Sequence, residues 1–359
     1  MRVARALVLA VLEAASPALG TTRNLVPGLS HFWFDGRRVT AFNDVLGIRV
    51  PFISDFSGGV EGDRLLGLLK NSTARNVTLE ASKSGKTLNV EFGGTAVLLP
   101  MRPIYESLFH EEFPTGDERM VSQAFIDALK LTMLSCVSKK LASPAERGVT
   151  LIQAGTAIDA FTTDEATVSW ARIKKCSLFD TIPNRAIWPR EFCDYFIRHF
   201  SHGVSVVMTD DAVFCAGDSE QMAVTVYAKL VDDNSPVDFP RFVSDYEDEI
   251  ALAFVIPSDL NHALSRAAAM VPEKTPVELE VTSVDDDARV LHLYARSAAG
   301  EFDDLVEIND VAGHADLKVK TDVALVRRAL GGRTSLALTQ NSVVLTGPPG
   351  FFHFISTKR

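Results

Sequence analysis

The stretch "SKSGKT" at 82–87 ends in the Gly-Lys-Thr of a phosphate-binding loop, where backbone N–H groups and a lysine cradle phosphate oxygens. That loop needs a glycine at position 80, and Glu80 stands there. The stretch also lies between two alternating runs, so it reads as a hairpin turn and not as the strand-to-helix turn the chemistry requires. His110-Glu111-Glu112 has no second histidine at helical spacing, which excludes the zinc-protease pattern. No Gly-x-Ser-x-Gly elbow occurs. Asp232-Asp233 and Asp303-Asp304 read as solvated turns. The residues therefore point to no catalytic centre, no metal site and no cofactor, and the chain is read as non-enzymatic.

The elements around these residues repeat. "GLSHFWFDGRRVTAFND" (28–44) and "GVTLIQAGTAIDAFTTD" (148–164) each run apolar, turn at a glycine, resume on a β-branched residue and close on Ala-Phe and an aspartate. A second unit occurs three times, at 62–94, 189–218 and 321–350. Each copy is a short amphipathic helix, an alternating strand, a polar turn and another strand. The helix stops fall at Asn71, His202-Gly203 and Gly331-Gly332. The remaining helices, over 3–15, 122–141 and 258–270, each lead into strands, the last into "VELEVTSVDDDARVLHLYAR" (277–296). Three copies in 359 residues give a period of about 120, too long for a solenoid. The expected fold is α+β, three tandem domains at 1–115, 116–248 and 249–359, each with two helices on antiparallel strands. Boundaries are read at Phe113-Pro114-Thr115-Gly116 and in the acidic stretch Pro236 to Glu249. No strand is expected before the first helix, because Met1 to Arg5 is short, whereas 118–123 and 250–257 supply one in the later domains.

The net charge of −10 argues against a surface that coats nucleic acid everywhere, though not against one basic face. Cys136, Cys176, Cys193 and Cys215 are widely spaced, as reduced thiols of a cytoplasmic protein would be. The first twenty residues resemble a secretory signal, with sequons at Asn71 and Asn76. Glu13 interrupts the apolar run, and Arg5, Leu9, Leu12 and Glu13 sort onto helix faces. A secreted or surface repeat protein with a cleaved signal is the alternative reading. An enzyme with a site between α+β repeats is another.

"GVTLIQAGTAIDAFTTDEATVSWA" (148–171), "VYAKLVDDNSPVDFP" (226–240), "LLPMRPIYESLFHEEFP" (98–114) and the threefold order resemble the bacterial-type DNA polymerase sliding clamp, the polymerase III β subunit, in a divergent or phage-borne version. The resemblance implies three clamp domains forming a half ring. Two chains would close head to tail as a homodimer around duplex DNA, without reading its sequence. It implies binding of a polymerase and a clamp loader through short linear peptides; separately, no apolar run of about 18 residues follows the N-terminal stretch, so no membrane span is expected. Basic residues on helices fit that role: Arg2, Arg5, Arg64, Lys70, Lys130, Lys139, Lys140, Arg190, Arg198, Arg266, Arg327 and Arg328, with Arg23 matching a loop arginine of the family. The peptide cleft maps to Thr163, Val168, Pro236, Arg241, Val243, Phe354 and Ile355. The tail "FFHFISTKR" and the triplet Glu165-Ala166-Thr167 depart from the family pattern, as a docking site specialised for a dedicated polymerase would. A clamp-like chain that never closes a ring is a third alternative.

Overall fold

The computed structural model describes residues 1–359 except 22–25, 115–117, 137–142, 144–145, 165, 201–202, 220–221, 233–237, 273–274, 284–288, 299, 314–316, 332, 348–349 and 357–359. The elements of the first third are β1 (Arg2–Ala4), α1 (Arg5–Ala15), β2 (His31–Phe34), β3 (Arg38–Phe42), β4 (Leu46–Pro51), β5 (Gly58–Glu61), α2 (Gly62–Lys70), β6 (Asn76–Ala81), β7 (Thr87–Phe92), β8 (Thr95–Arg102) and β9 (Arg119–Met120). Then come α3 (Gln123–Thr132), β10 (Gly148–Ala154), β11 (Ala157–Thr163), β12 (Thr167–Lys174), β13 (Arg185–Pro189), α4 (Arg190–His199), β14 (Ser205–Met208), β15 (Ala212–Ser219), β16 (Met222–Lys229) and α5 (Phe239–Asp248). The last third holds β17 (Leu252–Val255), α6 (Leu260–Met270), β18 (Val277–Ser283), β19 (Arg289–Ser297), β20 (Gly300–Ile308), β21 (Ala312–Gly313), β22 (Lys318–Thr321), α7 (Val323–Leu330), β23 (Ser335–Leu338), β24 (Ser342–Thr346) and β25 (Phe351–Ser356).

The repeated hairpins form where the residue pattern places them. β2 pairs with β3 across a turn in which Gly36 has φ +92°, and β10 pairs with β11 across Gly155 at φ +63°. Positive φ is the conformation glycine adopts without a Cβ penalty. The threefold unit also forms, as α2–β6–β7, α4–β14–β15 and α7–β23–β24.

By contacts the chain sorts into two compact units, Met1–Ile126 with Cys176–Val231, and Asp127–Lys175 with Asp232–Arg359. The first is built on one antiparallel sheet in the order β1-β6-β7-β8-β5-β2-β3-β4-β16-β15-β14-β9. Helix α1 lays Val8, Val11, Leu12 and Ala15, one face at helical spacing, into that unit's core. Leu7, Ala10 and Glu13 lie on the exposed face of α1. A strand does precede α1: Arg2, Val3 and Ala4 pair with Thr78, Val77 and Asn76 of β6. Three residues carry no periodicity, so only their sheet partner reveals them.

The second unit has a sheet running β10-β11-β12-β25-β24-β23-β17-β21 and a four-stranded sheet β20-β19-β18-β22. Strand alternation gives the larger sheet two apolar faces. Leu252, Phe254, Leu336, Leu338, Val343, Leu345 and Ile355 join α6, α7 and the smaller sheet in the main core. Phe161, Trp170, Ala337, Val344 and Phe354 meet Phe239 and Val243 of α5 in a separate aromatic cluster. The acidic stretch read as a boundary is therefore a helix from Phe239 onward. Asp238 caps it by accepting from the Arg241 N–H, and Pro240 sits in its first turn, where no N–H is required. Helix α3 ends at Thr132, short of the expected 141, and residues 137–142 lie outside the described ones.

Of the strand edges left open among the described residues, two carry a largely exposed leucine. β8 pairs with β7 along Thr95–Pro100 but with β5 only at Met101 and Arg102. β20 pairs with β19 alone. Each edge exposes one leucine, Leu98 at 68% and Leu305 at 61%.

Candidate functional site

The aromatic cluster of the second unit is the most developed candidate surface. On β12, Val168, Trp170 and Arg172 share one face. They lie opposite Thr163, Phe161 and Asp159 of β11, and Val168 and Trp170 also face Phe354 and Phe352 of β25. Phe239 stacks on Phe161 with centroids 4.5 Å apart, and Trp170 stacks on Phe352 at 5.0 Å. Helix α5 closes one side: Phe242 and Tyr246 stand 5.6 Å and 4.8 Å from the Phe354 ring. Val168, Phe242, Tyr246 and Phe352 are only half-buried against the cluster, so a partly exposed apolar surface remains along α5, where the peptide cleft is expected.

Of the expected cleft residues, Val168, Val243 and Phe354 meet here. Val243 is buried beneath α5, and Phe354 forms the floor. Thr163 sits at the rim, donating to the Asp164 and Thr167 carbonyls. Arg241 is 78% exposed on the outside of α5 and pairs with Asp245 at 3.7 Å. Ile355 does not belong to the cleft. Strand alternation turns it to the other face, where it is fully buried in the main core. Pro236 and Glu165 lie outside the described residues. Phe161, Trp170, Phe239, Phe242 and Tyr246 were missed, although Phe239, Phe242, Val243 and Tyr246 have helical spacing. Burial first, and then the nearby Glu249, pushes the Tyr246 hydroxyl pKa up.

Among the described residues, the expected DNA-facing cations are on helices except Arg2, but most are engaged. Arg64 pairs with Glu61, Lys70 with Glu13, Lys130 with Asp127, and Arg190 and Arg198 with Asp194. Arg266 donates to Asp304. Arg5 acts within the fold, where its guanidinium donates to the Leu69 and Ala74 carbonyls and satisfies acceptors at the end of α2. Arg2 is on β1, not on a helix. Arg327 and Arg328, both exposed on α7, make no ion pair among the described residues. They line a groove of about 620 Å³ with Ala267, Val271 and Thr275. Arg23, Lys139 and Lys140 lie outside the described residues.

Behind the cleft lies a buried polar chain. Thr167 donates to Ser135, Ser135 is 2.9 Å from Ser169, and Ser169 Oγ is 2.7 Å from His353 Nδ1. His353 is fully buried, its Nε2 finds no partner, and its pKa is pushed down to about 3 by burial and then by Arg328 and Arg333. A histidine held neutral in the native state takes up its proton only on unfolding. Its contribution is complete above pH 6.5 and declines as pH falls toward 3, at up to about 1.4 kcal/mol per pH unit. Urea unfolding should show falling stability below pH 6.5, and His353→Gln should flatten that slope; an unchanged slope would contradict the assignment.

A hollow of about 180 Å³ in the first unit is lined by Asp35, Arg38, Arg49 and Glu112. Its charges answer one another: Glu112 accepts from Arg38 and Arg49 at 3.0 Å each, and the Arg38 hydrogen bond holds its carboxyl below the usual range. The arrangement straps the segment after β8 to β3 and β4. All four cysteines are buried thiols outside any disulfide, and burial pushes the Cys176 and Cys215 thiols up. Among the described residues no group of three His, Cys, Asp or Glu could hold a metal, and no helix is long and apolar enough to cross a membrane.

No protein-family model matches the chain, and no curated protein does. Solved structures do. The DNA polymerase sliding clamp of Bacillus subtilis matches with a TM-score of 0.83 at 13% identity, over 100% of this chain and 98% of that one. The β subunit of the Streptococcus pyogenes DNA polymerase matches at 0.79 and 17%, over 100% and 99%. A Pseudomonas aeruginosa sliding clamp bound to griselimycin matches at 0.78 and 18%, over 100% and 99%. Over its whole length, the chain has the fold of the bacterial DNA polymerase III β subunit, the sliding clamp.

Proposed function

We propose that two copies of this chain close head to tail into a ring around duplex DNA and tether a replicative polymerase and its loader. The carrying observation is the full-length fold likeness to sliding clamps. The open edges support it. β8 is in one unit and β20 in the other, so pairing them between copies is heterologous, and a heterologous contact closes a ring when its rotation permits. Their surfaces are complementary: Arg64 lines the groove beside Leu98, and β20 exposes Glu301, Asp303 and Glu307. Arg64 then serves the dimer more than DNA. In this reading each chain holds three clamp domains, at 1–115, 116–248 and 249–359, has no catalytic centre and works in the cytoplasm.

A sliding ring needs weak attraction to phosphates, and extensive local pairing of helix cations provides that. The exposed pair Arg327 and Arg328 is the principal phosphate contact. Changing both to alanine should weaken DNA association and lower its salt slope by about two. A slope equal to wild type would remove them from the DNA face. Light scattering across a dilution series tests the dimer itself. A species at twice the 39.1 kDa chain mass is expected, and a strict monomer with and without DNA would overturn the ring.

A further inference from the structure

We propose that the α5 cleft selects peptides whose apolar residues are flanked by lysine or arginine. This rests on reading the cleft as a peptide-docking site and adds the charge of its partner. Residues 238–249 carry five carboxylates and one arginine. Arg241, Asp245 and Glu249 follow one another at i, i+4 spacing, beside the Phe242 and Tyr246 row that borders the cleft. Asp245 is 65% exposed, and its Arg241 partner is more exposed still, so their pairing is weak and the rim stays acidic. On the sheet side the cation at the cleft is Arg172, and Asp159 already grips it through two 2.7 Å hydrogen bonds. Among the described residues, an acidic peptide would meet no uncommitted positive charge on the sheet side.

The aromatic lining favours the same partner. Arg172 lies over the Trp170 ring at 5.1 Å, so this face already accommodates a guanidinium. The half-buried rings of Phe242, Tyr246 and Phe352 offer further faces to a lysine or arginine whose stem covers apolar surface. Apolar side chains would supply the contact with Val168 and Phe354, and cations would supply orientation and encounter rate.

The test uses the full chain and three labelled peptides followed by fluorescence polarisation at low and high salt. Two share a Leu-Leu-Phe core, one flanked by lysine pairs and one by glutamate pairs. The third keeps the lysines but replaces the core with serines. The lysine-flanked apolar peptide should bind about tenfold tighter than the other two, with the gap over its glutamate counterpart narrowing in high salt. The double change Asp245→Lys with Glu249→Lys should reverse the flank preference without moving the unfolding midpoint. Core-dependent binding with equal or glutamate-favoured flanks would overturn the charge assignment and leave the docking reading standing. Absence of any core-dependent binding would overturn both.

Discussion

Phe239→Ala will lower the free energy of unfolding by about 3–5 kcal/mol and release α5 from its sheet. Phe239 is 1% exposed and stacks at 4.5 Å and 17° on Phe161, which stacks in turn on Trp170. Removing the ring leaves a cavity among groups that have little room to move, because Phe161 and Trp170 belong to paired central strands. The helix has no other deep anchor of that size, since Phe242 and Tyr246 are only half-buried. Denaturant unfolding measures the loss. Phe239→Leu, which keeps most of the volume, should lose much less. A loss under about 1 kcal/mol for the alanine variant would mean the cluster does not hold α5.

Leu98→Asp and Leu305→Asp will each convert the dimer to a monomer at concentrations where the wild type is paired. Both leucines are already largely exposed in the single chain, so neither change should disturb folding. In the proposed interface each aspartate would be desolvated against an apolar neighbour. Loss of a central apolar anchor typically costs about 2 kcal/mol or more, about thirtyfold in Kd. Light scattering reads the mass, and an unchanged unfolding midpoint of the monomer separates lost assembly from lost fold. Retention of the dimer by both variants would move the interface away from β8 and β20.

The hairpins and the threefold helix-strand-strand units were legible because each carries its own period and a glycine or polar turn. What stayed hidden depends on partners far along the chain. β1 has three residues and exists through β6. α5 begins on Phe-Pro amid carboxylates, which reads as a linker, and the sheet it covers comes from 148–174 and 252–356. The cleft was half legible. Val168 and Phe354 were found, but Ile355 was grouped with its neighbour although adjacent strand residues face opposite sides. Helix cations were visible as residues and not as commitments. The pairs Glu61–Arg64 and Asp127–Lys130 sit at helical spacing, whereas Lys70–Glu13 and Arg266–Asp304 need the fold.

The central claim is topological enclosure of DNA. The most direct measurement loads the chain, with a clamp loader, onto nicked circular duplex DNA, isolates the complex by gel filtration, and then cuts the circle once. The ring account expects the chain to remain with the closed circle through a high-salt wash and to dissociate once the DNA has ends. Equal retention on circular and linear DNA, or loss from both in salt, would mean ordinary surface binding and would contradict it.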